Sequence, residues 1–183
     1  DGTVEGAIDG SSDRKDSFDE ILVRLVREPR GASADSELMP GAELAGRFQI
    51  VRLLGAGGMG TVYVARDRSL DRDVAIKLHH QAGGAARLRR EAVAMARLAH
   101  PNVVTVFEVG ELDRRPFVVM EYIAGTTLRA WLGEATRSVR EILAHVVAAG
   151  EGLAAAHAAG LVHRDFKPEN VLIGSDGRAR VGD

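Results

Sequence analysis

The sequence predicts an α+β fold, and three observations carry that expectation: five short apolar runs that read as strands, a helical repeat lodged among them, and a long amphipathic helix followed by a small hairpin. The strands are expected at Phe48 to Leu54, Thr61 to Ala65, Val74 to Lys77, Val103 to Val109 and Pro116 to Glu121. Within Ala85 to Leu98 the apolar residues Leu88, Ala92, Met95 and Leu98 recur at helical spacing, and Pro101 keeps that helix from continuing. The long helix is expected from about Ser138 to Ala159. There Ile142, Leu143, Val146, Val147, Leu153 and Ala154 form a broad apolar stripe, with Gly160 well placed as the C-terminal stop. Val171-Leu172-Ile173, the turn Ser175-Asp176-Gly177 and Ala179-Arg180-Val181 read as the hairpin.

Composition bounds the function. With 183 residues the chain has room for one domain or slightly more, and an apolar share of 45% is that of a folded globular protein. There is no cysteine, hence no disulfide and no thiol chemistry. No apolar run reaches the roughly 18 residues of a membrane span and the start carries no secretory signal, so a cytoplasmic segment is expected. A formal charge of −2 without a basic stripe gives no nucleic-acid surface. His145 and His157 lack the Cys or His companions of a zinc site and are read as packed or surface residues.

Residues 1–45 differ from the rest. Asp, Gly and Ser dominate from Asp1 to Asp19 without a core pattern, as in a flexible acidic leader. Within it Phe18, Ile21, Leu22, Leu25 and Val26 fall on one helical face, an amphipathic helix over about residues 18–28 that ends before Pro29. Alone it is too short to be stable in water. Two readings stand: it docks on the folded part or on a partner, or it forms only transiently in a disordered arm.

The densest chemistry lies in His163-Arg164-Asp165-Phe166-Lys167-Pro168-Glu169-Asn170. Asp165 is a carboxylate that can accept a hydroxyl's proton. Two residues on, Lys167 can offset charge on a phosphoryl group in transfer. Five residues after Asp165, the amide oxygen of Asn170 suits a hard cation such as Mg2+. This segment resembles the HRDxKxxN catalytic loop of protein kinases at every functional position, with Phe166 where Leu is commoner in that family.

The other parts of a kinase follow in order. Gly55-Ala56-Gly57-Gly58-Met59-Gly60-Thr61-Val62, preceded by Leu54, is similar to the Gly-x-Gly-x-x-Gly-x-Val loop and lies between two expected strands. Small residues there let backbone amides approach the ATP phosphates. Val74-Ala75-Ile76-Lys77 resembles the strand whose lysine holds the α- and β-phosphates, and Glu91 is the only acid on the following helix, 14 positions on. That spacing is several residues shorter than is usual in the family. Glu91 is assigned as the partner of Lys77, the alternative being a solvated pairing with Arg87 or Arg90. Met120-Glu121-Tyr122-Ile123-Ala124-Gly125 resembles the hinge. The resemblance implies that Met120 limits the adenine pocket, that the backbone of Glu121 and Ile123 bonds the adenine edge, and that Val62, Ala75 and Leu172 line an apolar slot. Asp183 falls where Asp-Phe-Gly begins and is the implied principal magnesium ligand, with Asn170 beside it.

Taken together, the resemblance is to the bacterial eukaryotic-like Ser/Thr protein kinases, ending at the Asp of Asp-Phe-Gly. It implies a small lobe over 46–121 with a five-stranded antiparallel sheet and one main helix, a hinge over 122–126, and the incomplete start of a helical large lobe over 127–183. The implied function is ATP- and Mg2+-dependent phosphorylation of protein Ser/Thr hydroxyls by a longer parent protein, the Ser/Thr preference resting on Lys167. That parent is expected to extend beyond residue 183, with a membrane anchor in some relatives, and residues 1–183 alone are expected to be inactive. Two other classes are weighed: a non-catalytic nucleotide-binding fragment or pseudokinase scaffold, against which the intact Lys77, Asp165, Asn170 and Asp183 argue, and a small-molecule phosphotransferase, whose family lacks this full glycine loop with Lys-Pro-Glu-Asn.

Overall fold

A computed structural model of the chain describes residues 38–57, 60–80, 95–96, 98–163 and 165–182. The leader helix expected over 18–28, and Gly58, Met59, Glu91 and Asp183, lie outside the described residues.

Apolar side chains on both faces of the central strands dictate where the first sheet sits. Strands β1 (Glu43–Leu44), β2 (Phe48–Gly57), β3 (Gly60–Asp67), β4 (Arg72–His79), β5 (Val106–Leu112) and β6 (Arg115–Glu121) form one antiparallel sheet in the order β1-β2-β3-β4-β6-β5. Opposed residues of an antiparallel pair share a face. One face therefore carries Tyr63, Ala65, Val74, Ile76, Leu78, Phe117 and Val119, which close on Leu44, Phe48 and Ile50. Each large apolar side chain so buried stabilises the fold by about 1.5–3 kcal/mol. The other face carries Val106 and Val118, covered by Met95 from the helical residues 95–96. Because both faces are covered, β4 is buried from Val74 to Leu78, Lys77 included.

Most strands run a few residues longer than the sequence expectation, and two departures are larger. Among the described residues the first sheet has six strands rather than five, because the isolated Leu44 is fully buried and pairs with Phe48. The fourth expected strand starts at Val106, not Val103. Residues 102–104 turn instead to the second sheet: Val181 N–H donates to Asn102 O (2.8 Å) and Val104 N–H to Val181 O (2.9 Å).

An ionic clamp closes the bottom of the first sheet. Arg47 meets fully buried Asp67 in a two-pronged contact (Nε–Oδ1 2.8 Å, Nη2–Oδ2 2.6 Å) and reaches Glu108 through Nη1 (2.8 Å). Asp67 also accepts the N–H groups of Ser69 and Leu70, which fixes the β3–β4 turn. These donors, Arg47 first, hold the Asp67 carboxyl down at about 2.

The second sheet joins β7 (Gly125–Thr127), β8 (Val171–Gly174) and β9 (Ala179–Val181), all antiparallel. The expected hairpin is β8–β9; β7 adds a third strand. After β7, Thr127 caps a short helix, α1 (Leu128–Glu134), by accepting from Ala130 N–H. The long helix α2 (Val139–Ala158) lies where the sequence places it. Ser138 and Glu141 form a reciprocal capping box, and Gly160 follows the end at φ +79°, a conformation glycine adopts without strain. Its buried face is made of small residues, Ala149, Gly152 and Ala156, while Leu143, Val146 and Val147 of the apolar stripe are exposed. His145 packs edge-on against Trp131. Among the described residues no helix is long and apolar enough to cross a membrane.

Candidate active site

The loop from His163 to Asn170 owes its shape to a few directed contacts. Asp165 N–H donates to His163 O, and Lys167 Nζ reaches Asp165 Oδ2 at 2.5 Å. Pro168–Asn170 then make a single 3-10 turn, closed by Asn170 N–H donating to Lys167 O (2.9 Å). That turn brings the Asn170 side chain back beneath the loop. Its Nδ2 donates to Asp165 O (3.0 Å) and lies 3.5 Å from Asp165 Oδ2. A carboxylate, a cation and an amide are thus assembled within one turn of chain.

Asn170 is buried, and with its nitrogen committed to Asp165 the amide orientation is set. Among the described residues its Oδ1 has no hydrogen-bond partner. A buried, oriented oxygen of this kind fits a hard cation such as Mg2+.

The loop is tied to the end of β9 from two sides. Gly182 N–H donates to Asn170 O (2.9 Å), and Gly182 O lies 3.1 Å from Nε2 of buried His163. Val181 is held in turn by Asn102 and Val104, and the Asn102 side chain donates to Ala179 O (2.7 Å). The residue before Asp183 is therefore fixed relative to Asp165 and Asn170. The sequence reading gave no role to His163, Asn102 or Gly182. The signal available was polar: a histidine and an asparagine beside apolar runs, each buried by its partners.

The glycine-rich segment ends β2 and begins β3. Gly57 pairs with Gly60, so only Gly58 and Met59 lie between the paired strands. Gly60 is required by close approach, because a Cβ there would come 2.5 Å from Leu78 O. A register shift between Leu53 and Gly55 leaves Leu54 without an opposite residue, and its side chain is exposed. Gly55 and Ala56 pair with Val62 and Thr61, and His80 Nε2 lies 3.0 Å from Gly57 O.

Cross-strand register places Val62 opposite Lys77, and Ala75 opposite both Val64 and Met120. Val62, Ala75, Lys77 and Met120 thus share the sheet face that Met95 covers, and Lys77 is 0% exposed. At the end of β6, Glu121 N–H donates to Thr105 O (2.8 Å), so any ligand contact by the Glu121 backbone falls on its carbonyl. Ile123 follows in the connection to β7, beside Gly174. Leu172 lies in the second sheet, where Leu172 and Val104 flank Gly182.

Comparison with known proteins places this geometry. The chain is 45% identical over 157 residues to the probable serine/threonine-protein kinase pknA2 of Bifidobacterium longum, covering 81% of this chain and 21% of that protein. It is 38% identical over 155 residues to the serine/threonine-protein kinase PrkC of Bacillus subtilis, covering 80% and 24%. The chain thus spans about a quarter or less of these relatives. Among solved structures, the kinase domain of Mycobacterium tuberculosis PknI superposes with a TM-score of 0.70 at 33% identity, over 80% of this chain and 62% of that one. The profile of the protein kinase domain matches residues 48–183, and the chain belongs to the protein kinase family, with the α+β fold of its bacterial serine/threonine members.

Proposed function

We propose that the full-length protein transfers the γ-phosphate of ATP to serine and threonine hydroxyls of protein substrates. The observation that carries this reading is the Asp165–Lys167–Asn170 cluster, locked by main-chain bonds to the residue before Asp183. Asp165 orients the acceptor hydroxyl and takes its proton. Lys167, now 2.5 Å from that carboxylate, neutralises charge gathering on the transferred group. Lys77, with Glu91 as its assigned partner, holds the α- and β-phosphates beneath the glycine segment Gly55–Val62. The adenine ring enters the slot of Val62, Ala75 and Leu172, bounded by Met120, with its edge read by the backbone of Glu121 and Ile123. Asn170 Oδ1 and the Asp183 carboxylate would hold magnesium, which when bound supplies positive charge across the phosphates.

Phosphoamino-acid analysis tests the reaction class. Incubated with γ-labelled ATP and a mixture of protein substrates, the full-length protein is expected to place label on serine and threonine. Label on tyrosine alone, or only on a small-molecule acceptor, overturns the proposal.

A further inference from the structure

Arg180 stands on β9, three residues before Asp183, and only 5% of it is exposed. An arginine on a short strand would ordinarily project into water; this one is held inside by two carboxylates. Its Nη1 and Nη2 grip Asp176 of the hairpin turn (3.1 and 2.7 Å), and its Nε lies 3.5 Å from Glu121 Oε1. The Asp176 contact fixes where the guanidinium sits, because a two-pronged fork has one geometry. Glu121 is thereby held at three points: its N–H on Thr105 O, its Oε2 3.5 Å from Thr105 N, and its Oε1 on Arg180. With its N–H committed, its carbonyl is the main-chain group left to meet a ligand.

We propose that Arg180 is a positioning residue for nucleotide selectivity, acting through Glu121 to fix the carbonyl that accepts from the amino group of adenine. The inference rests on the adenine-binding reading above and adds a residue that touches no part of the nucleotide. Physically, removing the guanidinium leaves Glu121 without its cation, whereas Asp176 keeps Arg178 (Nε–Oδ2 2.7 Å). Glu121 is then free to turn toward water, and the end of β6 turns with it. The effect falls on the adenine edge rather than on the phosphates, because Asp165, Lys167 and Asn170 keep their own contacts.

The test compares ATP with inosine triphosphate, which has a carbonyl where ATP has its amino group. In the full-length protein, Arg180→Met is expected to lower the ratio of kcat/KM values, ATP over ITP, by roughly tenfold, mainly through KM for ATP. Arg180→Lys should recover part of the ratio. Glu121→Gln, which leaves the Arg180–Asp176 fork in place, should lower it in the same direction, and the double variant should be no worse than Arg180→Met. An unchanged ratio, or an equal loss for both nucleotides, overturns the inference. Should Arg180→Met be insoluble, Glu121→Gln decides by the same criterion. A wild-type protein that uses no nucleoside triphosphate overturns the kinase reading itself, a result distinct from an active wild type whose variants keep its selectivity.

Discussion

Gly182 donates its N–H to the carbonyl of Asn170 at 2.9 Å, which makes the loop carrying Asp165 and the strand leading to Asp183 one mechanical unit. The amide of Asn170 has two distinct ends: its nitrogen braces Asp165, and its buried oxygen, without a hydrogen-bond partner among the described residues, is the one proposed above to meet a cation. Asn170→Ala in the full-length protein is therefore expected to raise the Mg2+ concentration for half-maximal rate by roughly ten- to a hundredfold. A magnesium titration of initial rates checks this; an unshifted midpoint excludes Asn170 as a ligand.

Lys77 lies wholly inside the sheet, with Val62 and Val118 opposite it on the flanking strands. Methionine is of similar length and apolar, so the strand tolerates it. Lys77→Met is expected to keep the far-ultraviolet circular dichroism of the wild type and to lose about a hundredfold or more in rate at saturating ATP. A variant that keeps wild-type turnover removes Lys77 from the phosphate site.

Acid should weaken the first sheet through Asp67. Its carboxyl falls from the ordinary 3.8 to about 2 in the folded chain, chiefly through Arg47. A depressed folded pKa means that the unfolded chain binds the proton first, so this stabilisation is complete above about pH 4 and is lost as pH falls toward 2. Asp67→Asn should cost about 2 kcal/mol at neutral pH. It should also flatten the acid limb of the thermal stability curve. An acid limb as steep as wild type assigns the acid sensitivity elsewhere.

These properties were unequally visible in the sequence. The catalytic loop and the Val74–Lys77 strand were legible because spacing fixes them locally, and α2 because Ser138, Glu141 and Gly160 mark both ends. Strand β1 was not, since two residues show no alternation. Val103 and Val104 have the composition of a strand of the first sheet, yet tertiary pairing with Val181 claims them. Arg180 was legible only as part of the hairpin strand, because burial of a strand arginine depends on Asp176 and on Glu121, which lies 59 positions earlier. Contacts made across the fold leave no local periodicity to read.

The 183-residue chain exposes Val139, Leu143 and Val147 on α2, an apolar surface that favours association. The PknI kinase domain is longer, the match spanning 62% of it. Expressed by itself, the 183-residue chain should self-associate, and Leu143→Glu with Val147→Glu should reduce the association. Light scattering after size exclusion measures it; a monodisperse monomer contradicts the expectation.

The most direct test of the account concerns Asp165 and its removal as a base. In the full-length protein, Asp165→Asn keeps the size of the side chain while removing the proton acceptor, and phosphate transfer from labelled ATP to a protein substrate should fall by roughly a hundred- to ten-thousandfold. Nucleotide binding should persist, because the Lys77 strand and the glycine segment are untouched. Transfer by Asp165→Asn at the wild-type rate, or no transfer by the wild type under any condition that supports ATP binding, would contradict the account.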